Sequence, residues 1–194
     1  ALHQIKPHFL QNALMSIKVL CRTRPKEAEQ AVYDFAVFLR GNMNALESAE
    51  MILFREECKT IERYLHIEKM RFGERLQVQW DLQEEKFQIP PLTIQPLVEN
   101  AVCHGICQKM EGGTVQIRSF RKNGEICVQI LDDGAGFDTE KLKDADGIAI
   151  RNLKLRLKEF LNADLEIESR KGEGCRQTIH IPWEETEDEN YSDR

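Results

Sequence analysis

Apolar residues in the first third of the chain recur at steps of three and four positions, the spacing of one face of an α-helix. Two such stripes run over residues 2–20 and 28–46, with a break at residues 23–25, and predict a helical hairpin. A third helical stripe covers residues 53–72. Each hairpin stripe is too broad for a lone pair of helices to cover, so we expect two copies to pair into a four-helix bundle.

From residue 76 the pattern changes to the alternation of polar and apolar positions that is typical of β-strands. Asn123-Gly124 lies between two alternating runs and is a strong signal for a tight hairpin. Pro90 and Pro91 end any regular element before the next apolar run, which predicts a helix over residues 92–105. The remaining predicted elements are strands at residues 76–82, 114–120, 125–131, 165–169 and 177–181 and a helix at residues 150–161.

Strands on one side and helices on the other predict an α+β fold, in which a two-layer sandwich follows the helical hairpin. We expect a helical region over residues 1–72 and the sandwich domain over residues 73–183. Six acidic residues lie within residues 184–194, and this composition predicts a solvated, disordered tail.

Composition excludes several classes of protein. The chain has 194 residues and a net charge of −6, which argues against a nucleic-acid binder because those domains carry a basic excess. Six cysteines without a C-x-x-C pair fit free thiols in a reducing cytoplasm. Cys103, His104 and Cys107 offer three metal ligands without a second cluster, so we do not predict a zinc site there. No run of 18 apolar residues occurs. The chain begins at Ala1 inside a predicted helix without a cap, so we expect a fragment of a longer protein.

Polar residues on the predicted helix 92–105 form the first candidate site. Asn100 and His104 are four positions apart and therefore share a helical face, with Glu99 beside them. Apolar neighbours on this helix would be buried, so the three polar side chains would border a cleft. An ordinary amphipathic helix with a few polar positions explains this segment equally well.

A glycine-rich segment follows the strand that ends near Leu131. Asp132 would place a carboxylate at the sheet edge, where it can accept a hydrogen bond from an exocyclic amine such as that of adenine. Gly134 and Gly136 would let the chain turn and let a ligand approach the backbone; a plain Asp-Gly turn is the alternative. Further along, Gly147 enters a helix whose first amides suit a phosphate, and the polar run before it predicts a lid.

Taken together, these three segments resemble the nucleotide-binding boxes of the GHKL ATPases, which include gyrase, MutL and the histidine kinases. The N-terminal run Pro7-His8-Phe9-Leu10-Gln11-Asn12 is similar to the signature of LytS-type sensor histidine kinases. Residues 63–72 and 89–100 also resemble that family, so the likeness covers residues 2–183. No G-x-x-x-x-G-K-[ST] run occurs, which excludes a Walker A site.

His8 also has a local setting that suits a phosphate acceptor. At about 100° per residue it lies on the flank of the apolar stripe rather than at its centre. Pro7 lacks an amide donor and would leave the His3 carbonyl without its helical partner, which loosens the turn beside His8. His3, His66 and His180 have no comparable setting, and we interpret them as structural or solvated.

The resemblance implies a kinase core that phosphorylates His8 from Mg-ATP and passes the phosphoryl group to an aspartate of a response-regulator receiver domain. It also implies a homodimer, and a cytoplasmic location for this part of a membrane-anchored sensor. No nucleic-acid partner or direct membrane contact is expected for this part. The implied roles are Mg²⁺ and cofactor binding for Asn100, adenine binding for Asp132, proton or metal-water orientation for Glu99, phosphate contact for His104, and pocket and lid shape for Gly134, Gly136 and Gly147.

The chain departs from the family pattern at three positions. Ala149 replaces the second lid glycine, and Cys175 follows Gly174 where threonine is common. Phe9 stands where many other histidine kinases have an acidic residue, so we assign no general base to His8. The first two departures leave an alternative open, a degenerate kinase core that acts as a dimeric signalling scaffold and binds ATP weakly or not at all.

Overall fold

Three helices open the described part of the chain. The computed structural model describes residues 7–47, 50–138 and 148–183. The helices are α1 (Pro7–Thr23), α2 (Pro25–Glu47) and α3 (Phe54–Phe72). Arg24 alone separates α1 from α2, and Pro25 opens α2 at a position where a missing amide costs no helical hydrogen bond. The predicted hairpin is therefore present, while residues 1–6, with the His3 carbonyl, lie outside the described residues.

Part of the apolar face that we assigned to a second copy is covered by α3 instead. Phe9 is buried, and its ring centroid lies 5.3 Å from that of Phe38 on α2 and 5.2 Å from that of Tyr64 on α3. The sequence pattern shows how broad an apolar face is, but it does not show which element covers it. Several large apolar side chains of the hairpin nevertheless stay exposed, namely Leu14, Met15, Val19, Val32 and Tyr33.

A five-stranded sheet forms the second layer. Its strands are β2 (Leu76–Leu82), β4 (Gly113–Lys122), β5 (Glu125–Asp132), β6 (Asp164–Arg170) and β7 (Gly174–Pro182), in the order β2-β4-β5-β7-β6. The β2–β4 pair is parallel and the other pairs are antiparallel. Asn123 and Gly124 both have positive φ angles (54° and 75°), as the tight hairpin between β4 and β5 requires. A separate two-stranded sheet pairs β1 (Ile52–Leu53) with β3 (Gln88–Ile89).

Helices cover the inner face of the large sheet, which confirms the predicted α+β fold class. These are α4 (Gln95–Asn100), which continues into a π-helical turn at Ala101–Gly105, and α5 (Ile148–Leu161). Leu97 and Val98 of α4 lie in one apolar core with Ile117 and Ile130 of the sheet. That core is continuous with the Phe9 cluster, so the helical hairpin and the sandwich share buried surface.

The predicted helix over residues 92–105 starts too early, and its last turn is π-helical instead of α-helical. Leu92 has a φ of 58°, which is incompatible with a right-handed helix, and α4 begins at Gln95. The Thr93 hydroxyl donates to the Pro90 carbonyl and closes the turn that precedes α4. After Asn100 the helix widens, because the Ile106 amide donates to the Ala101 carbonyl five residues earlier.

A buried carboxylate from α3 fixes the start of α4. The Glu57 Oε1 atom accepts the amides of Ile94 and Gln95 at 2.6 and 3.0 Å. Burial raises the pKa of Glu57 to about 7, although those amides and the nearby Arg156 guanidinium act in the opposite direction. Glu57 therefore ties the helical region to the segment that carries Glu99 and Asn100.

Glu57 predicts a specific dependence of stability on pH. Its pKa is about 7 in the folded chain and 4.5 as the reference value, so the folded chain holds a proton that the unfolded chain releases between these values. The free energy of unfolding should therefore fall as pH rises through this window, by on the order of 3 kcal/mol from this group. Glu57→Gln removes the titrating group, and we expect urea unfolding of that variant to show a shallower decline with pH.

Glu56→Gln is the matched control, because Glu56 is the exposed neighbour and pairs with Lys59 at the surface. Its pH dependence should follow that of the wild-type chain. Equal slopes for Glu57→Gln and the wild-type chain would contradict the assigned pKa.

Candidate nucleotide-binding site

Asp132 is the central acceptor of the candidate site. It is the last residue of β5 and is only 8% exposed. Its Oδ1 atom accepts the Gly134 amide at 3.0 Å, and the Cys175 amide also donates to this carboxylate. Burial raises the pKa of Asp132 to about 6, against the effect of these amide donors. At neutral pH the carboxylate is ionised and offers only acceptor positions, which suits a ligand with an N–H donor.

The glycine-rich loop after β5 packs directly on the π-helical turn. A Cβ atom on Gly134 would lie 2.2 Å from the carbonyl carbon of Gly105, and one on Gly105 would lie 2.4 Å from Oδ1 of Asp132. The Ala135 amide donates to the Gly105 carbonyl at 3.1 Å. Two of the predicted segments are thus in contact, and glycine is required on both sides. We did not single out Gly105 from the sequence, although it ends the segment that contains Asn100 and His104.

Gly136 and Gly174 hold the far side of the same loop. Both have positive φ angles, 56° and 85°. A Cβ atom on Gly136 would lie 2.0 Å from the Arg170 carbonyl oxygen, and one on Gly174 would lie 1.9 Å from that of Asp132. The side chain of Ser169 joins the two by accepting the Phe137 amide and donating to the Gly174 carbonyl. Gly174 therefore requires glycine for the same reasons as Gly136, although only Gly136 belongs to the sequence motif.

Glu99, Asn100 and His104 lie together on α4 and the turn that follows it. Asn100 is half-buried at the end of α4, whereas His104 is exposed on the π-helical turn. The shared face that we predicted assumed regular α-helical geometry, and the wider turn changes the angle between these two side chains. Such π turns are frequent at functional sites.

A buried chain of side-chain amides connects Glu99 to the hairpin. The Gln95 Nε2 atom donates to Oε1 of Glu99 at 2.9 Å and to Oδ1 of Asn42 at 2.8 Å. Asn42, on α2, donates in turn to the Phe38 carbonyl at 2.9 Å. This connection fixes the orientation of Glu99 relative to α2. The sequence carries no signal for it, because the two residues that meet are 53 positions apart.

A cavity of about 570 Å³ opens where β5 and β6 end and β7 begins. Asp132, Ser169, Gly174, Cys175 and Arg176 are among its lining residues. Burial raises the pKa of the Cys175 thiol to about 12, and the charge of Asp132 acts in the same direction, so the thiol stays protonated. Cys175, one of the three departures from the family pattern, therefore lies beside the Asp132 carboxylate. Gly147, the lid residues 139–146 and the Ala149 side chain lie outside what the structure describes.

His8 is exposed near the start of α1, while its neighbour Phe9 is buried. The Asn12 amide nitrogen lies 3.1 Å from Nδ1 and 3.2 Å from Nε2 of His8. Phe9 contacts Tyr64, whose hydroxyl lies 3.9 Å from the Cys103 thiol on the π-helical turn. Packed side chains therefore connect the turn that carries His8 with the turn that carries His104.

No helix in the described ranges combines the length and apolarity needed to cross a bilayer.

Two family models match this chain. The histidine kinase family model matches residues 2–76, and the model of the histidine kinase-, DNA gyrase B- and HSP90-like ATPases matches residues 91–185. The first region contains His8 and residues 63–72, and the second contains Asn100, Asp132 and Gly147.

Several known proteins are similar to this chain. YwpD of Bacillus subtilis is 36% identical over 191 residues, which is 94% of this chain and 69% of that protein. The sensor histidine kinase BtsS of Escherichia coli is 34% identical over 93% of this chain, and the sensor protein LytS of Bacillus cereus 30% identical over 96%. The chain spans 32% and 34% of those two proteins, about a third of each.

The fold has a counterpart among solved structures. The histidine kinase domain of the blue-light activated histidine kinase of Erythrobacter litoralis EL346 matches with a TM-score of 0.54 and 19% identity. That match covers 89% of this chain and 95% of the solved domain, and at this identity it is a likeness of fold. The chain therefore belongs to the sensor histidine kinase family, with the GHKL ATP-binding fold in its C-terminal half.

Proposed function

We propose that this chain is the kinase core of a two-component sensor, which transfers the γ-phosphoryl group of Mg-ATP to His8 and then to an aspartate of a response-regulator receiver domain. The observation that carries the proposal is the buried Asp132 carboxylate, held against Gly105 at the end of the segment that bears Asn100. The ionised, buried Asp132 carboxylate suits the exocyclic amine of adenine, and the glycines around it leave space for the flat ring.

The remaining site residues have roles that follow from their chemistry. The Asn100 side-chain oxygen is a suitable ligand for Mg²⁺, which prefers oxygen donors. When bound, Mg²⁺ supplies charge neutralisation at the phosphate oxygens. Glu99, held by Gln95, would orient a proton or a water on the metal, and the exposed His104 would contact the phosphates. The glycines Gly134 and Gly136 keep the backbone open for the nucleotide, and Gly147 shapes the lid.

The transfer step requires one bond to form and one to break. A neutral ring nitrogen of His8 attacks the γ-phosphorus, an N–P bond forms, and the bond to the bridging oxygen breaks as ADP leaves with the electron pair. The Asn12 side-chain amide lies within hydrogen-bond reach of both ring nitrogens and limits the orientations that the ring can adopt. Because His8 is exposed, its ring can reach a nucleotide without any rearrangement of the core.

Pairing of two chains completes the proposed assembly. The apolar side chains that stay exposed on α1 and α2 support a second copy of the hairpin as the partner, since α3 leaves this face uncovered. Exposed apolar patches on otherwise polar helices are typical of protein interfaces.

The test of the proposed function is labelling of the chain from ATP that carries the isotope in either the γ- or the α-phosphate. We expect label from the γ-position only, dependence on Mg²⁺, and a phosphorylated product that is labile in acid and stable in base. Acid-stable label, or bound nucleotide without any label, would overturn the proposal. Absence of both label and nucleotide binding would also overturn it and would favour the scaffold alternative.

Substitution of Gln95 tests whether the connection from α2 positions Glu99. In Gln95→Met a side chain of similar size remains, but Glu99 and Asn42 lose their common donor. We expect the maximal rate of autophosphorylation to fall about tenfold with little change in the KM for ATP, because misplacement of a positioning group costs mainly the chemical step.

Gln88→Met is the matched control, since Gln88 is exposed on β3. It should leave both kinetic parameters unchanged. A Gln95→Met chain with a normal maximal rate, or with a raised KM alone, would show that the connection does not position Glu99.

A further inference from the structure

A mixed cluster of ligand-type side chains lies on the sheet face opposite to the apolar core. Glu125 and Cys127 of β5 alternate with the buried Ile126, so they point away from α4 and α5. His180 of β7 is directly opposite Cys127 in the strand register. The ligand atoms of these three residues all lie within 4.8 Å of one another, and the described ranges contain no other such group of three.

The distances within the cluster match the spacing of ligands around one metal ion. Nδ1 of His180 lies 3.0 Å from Oε2 of Glu125 and 3.9 Å from Sγ of Cys127. Ligands about 2.0–2.3 Å from a tetrahedral Zn²⁺ are separated from each other by about 3.3–3.8 Å. Small side-chain movements would therefore bring all three atoms into coordination range.

A fourth residue orients the histidine. Nε2 of His180 lies 3.4 Å from Oε2 of Glu166 on the adjacent strand β6. A metal-bound histidine almost always donates its other ring N–H to a carboxylate or carbonyl, which fixes the tautomer. Without metal, Nδ1–H donates to Glu125. Metal binding would replace this hydrogen bond: with the proton on Nε2 and directed at Glu166, the Nδ1 lone pair faces Glu125 and Cys127. A plain ion pair of His180 with two carboxylates would account for the histidine but not for the thiol beside it.

We propose that Glu125, Cys127 and His180 form a binding site for a transition metal of the Zn²⁺ class, with Glu166 as the positioning residue. One thiolate, one imidazole and one carboxylate select Zn²⁺ over Mg²⁺ or Ca²⁺, which prefer oxygen ligands alone. The thiol proton is released to solvent when the metal binds. His180 and Glu125 are 32% and 42% exposed, so a water molecule can take the fourth position. Such a site would join β5 to β7 on the face away from Asp132.

The site is tested on the purified chain by competition with a chromogenic chelator for Zn²⁺ and by the visible spectrum with Co²⁺ as the probe. We expect one equivalent of Zn²⁺ and a thiolate-to-cobalt absorption band. Cys127→Ser and His180→Gln should remove both signals. The exposed Glu166→Gln should keep the fold and weaken Zn²⁺ binding about 10–100-fold, the usual effect of losing such a partner.

Matched controls exist elsewhere in the chain. Cys21→Ser removes an exposed thiol outside the proposed site. His66→Gln removes a histidine that pairs with Asp34 at 2.6 Å and belongs to no described group of three metal ligands. Both variants should bind Zn²⁺ as the wild-type chain does. Unchanged binding in Cys127→Ser would overturn the proposal. Loss of Zn²⁺ binding only in the double variant Cys103→Ser/Cys107→Ser would also overturn it, because the thiols of Cys103 and Cys107 contact each other and are the other candidate ligands. Zn²⁺-dependent thermal stabilisation of the wild-type chain should likewise disappear in Glu166→Gln at low Zn²⁺.

Discussion

Substitution of His8 by glutamine is expected to remove all acid-labile phosphate from the chain and to leave its affinity for Mg-ATP within about a factor of two. Glutamine has no ring nitrogen that can attack phosphorus, so the chemical step has no nucleophile. Because His8 is exposed, the substitution should not disturb the fold. Labelling with γ-labelled ATP and titration with a fluorescent nucleotide measure the two quantities separately.

The control for His8 is His66→Gln. His66 is also exposed on a helix of the same region, where it pairs with Asp34. Its loss should leave labelling intact. Undiminished label in His8→Gln would reject His8 as the acceptor, while loss of label together with loss of nucleotide binding would point to a damaged site instead.

The second large effect is expected at the nucleotide. Asp132→Asn should weaken ATP binding about 100-fold, close to 3 kcal/mol, because a buried amide would direct N–H donors at the adenine amine and at the Gly134 and Cys175 amides. Asp133→Asn is the matched control, since Asp133 is the exposed neighbour and its carboxylate accepts the Thr114 amide instead. Isothermal titration gives both affinities, and equal values would contradict the role of Asp132.

Asp132 also predicts the direction of a pH effect on nucleotide binding. Its pKa is about 6 in the nucleotide-free chain, above the reference value of 3.8, so below pH 6 the carboxyl is protonated and no longer a pure acceptor. ATP affinity should therefore fall as pH drops through about 6, by up to about tenfold per pH unit. The ATP phosphate titrates in the same range, with a pKa of about 6. The part of the pH dependence of ATP affinity that disappears in Asp132→Asn is therefore the contribution of the Asp132 carboxyl. Identical pH profiles of the wild-type chain and Asp132→Asn would contradict the pKa assigned to Asp132.

The strands and most helices could be predicted because their patterns are local. The Leu76–Leu82 strand alternates strictly along its length, and Asn123-Gly124 permits the positive φ angles of its turn. Other features depend on distant residues. The two-residue strands β1 and β3 are too short to show a period, and the parallel pairing of β2 with β4 has no local signature. The π-helical turn lies where Gly105 meets the loop after Asp132, a contact that no periodic pattern records.

The candidate site divides in the same way. Asp132, Gly134 and Gly136 could be identified because they form one short motif at the end of a strand. Gly105 and Gly174 were missed since their need for glycine arises from backbone that approaches from another element. The supporting residues Asn42, Glu57 and Gln95 were missed for a related reason: each acts through hydrogen bonds to partners tens of residues away. Sequence patterns therefore supplied the residues that we propose to meet the ligand, and the structure adds the residues that hold them.

The central claim is that the imidazole of His8 receives the terminal phosphoryl group of a nucleotide held at Asp132. Mass-spectrometric mapping of the wild-type chain at neutral to alkaline pH, after incubation with Mg-ATP, tests it most directly. The account predicts a single phosphate on His8, and much slower phosphorylation of His8 in Asp132→Asn at an ATP concentration that just saturates the wild-type chain. Phosphate on any other residue, or an unmodified chain with nucleotide bound, would contradict it.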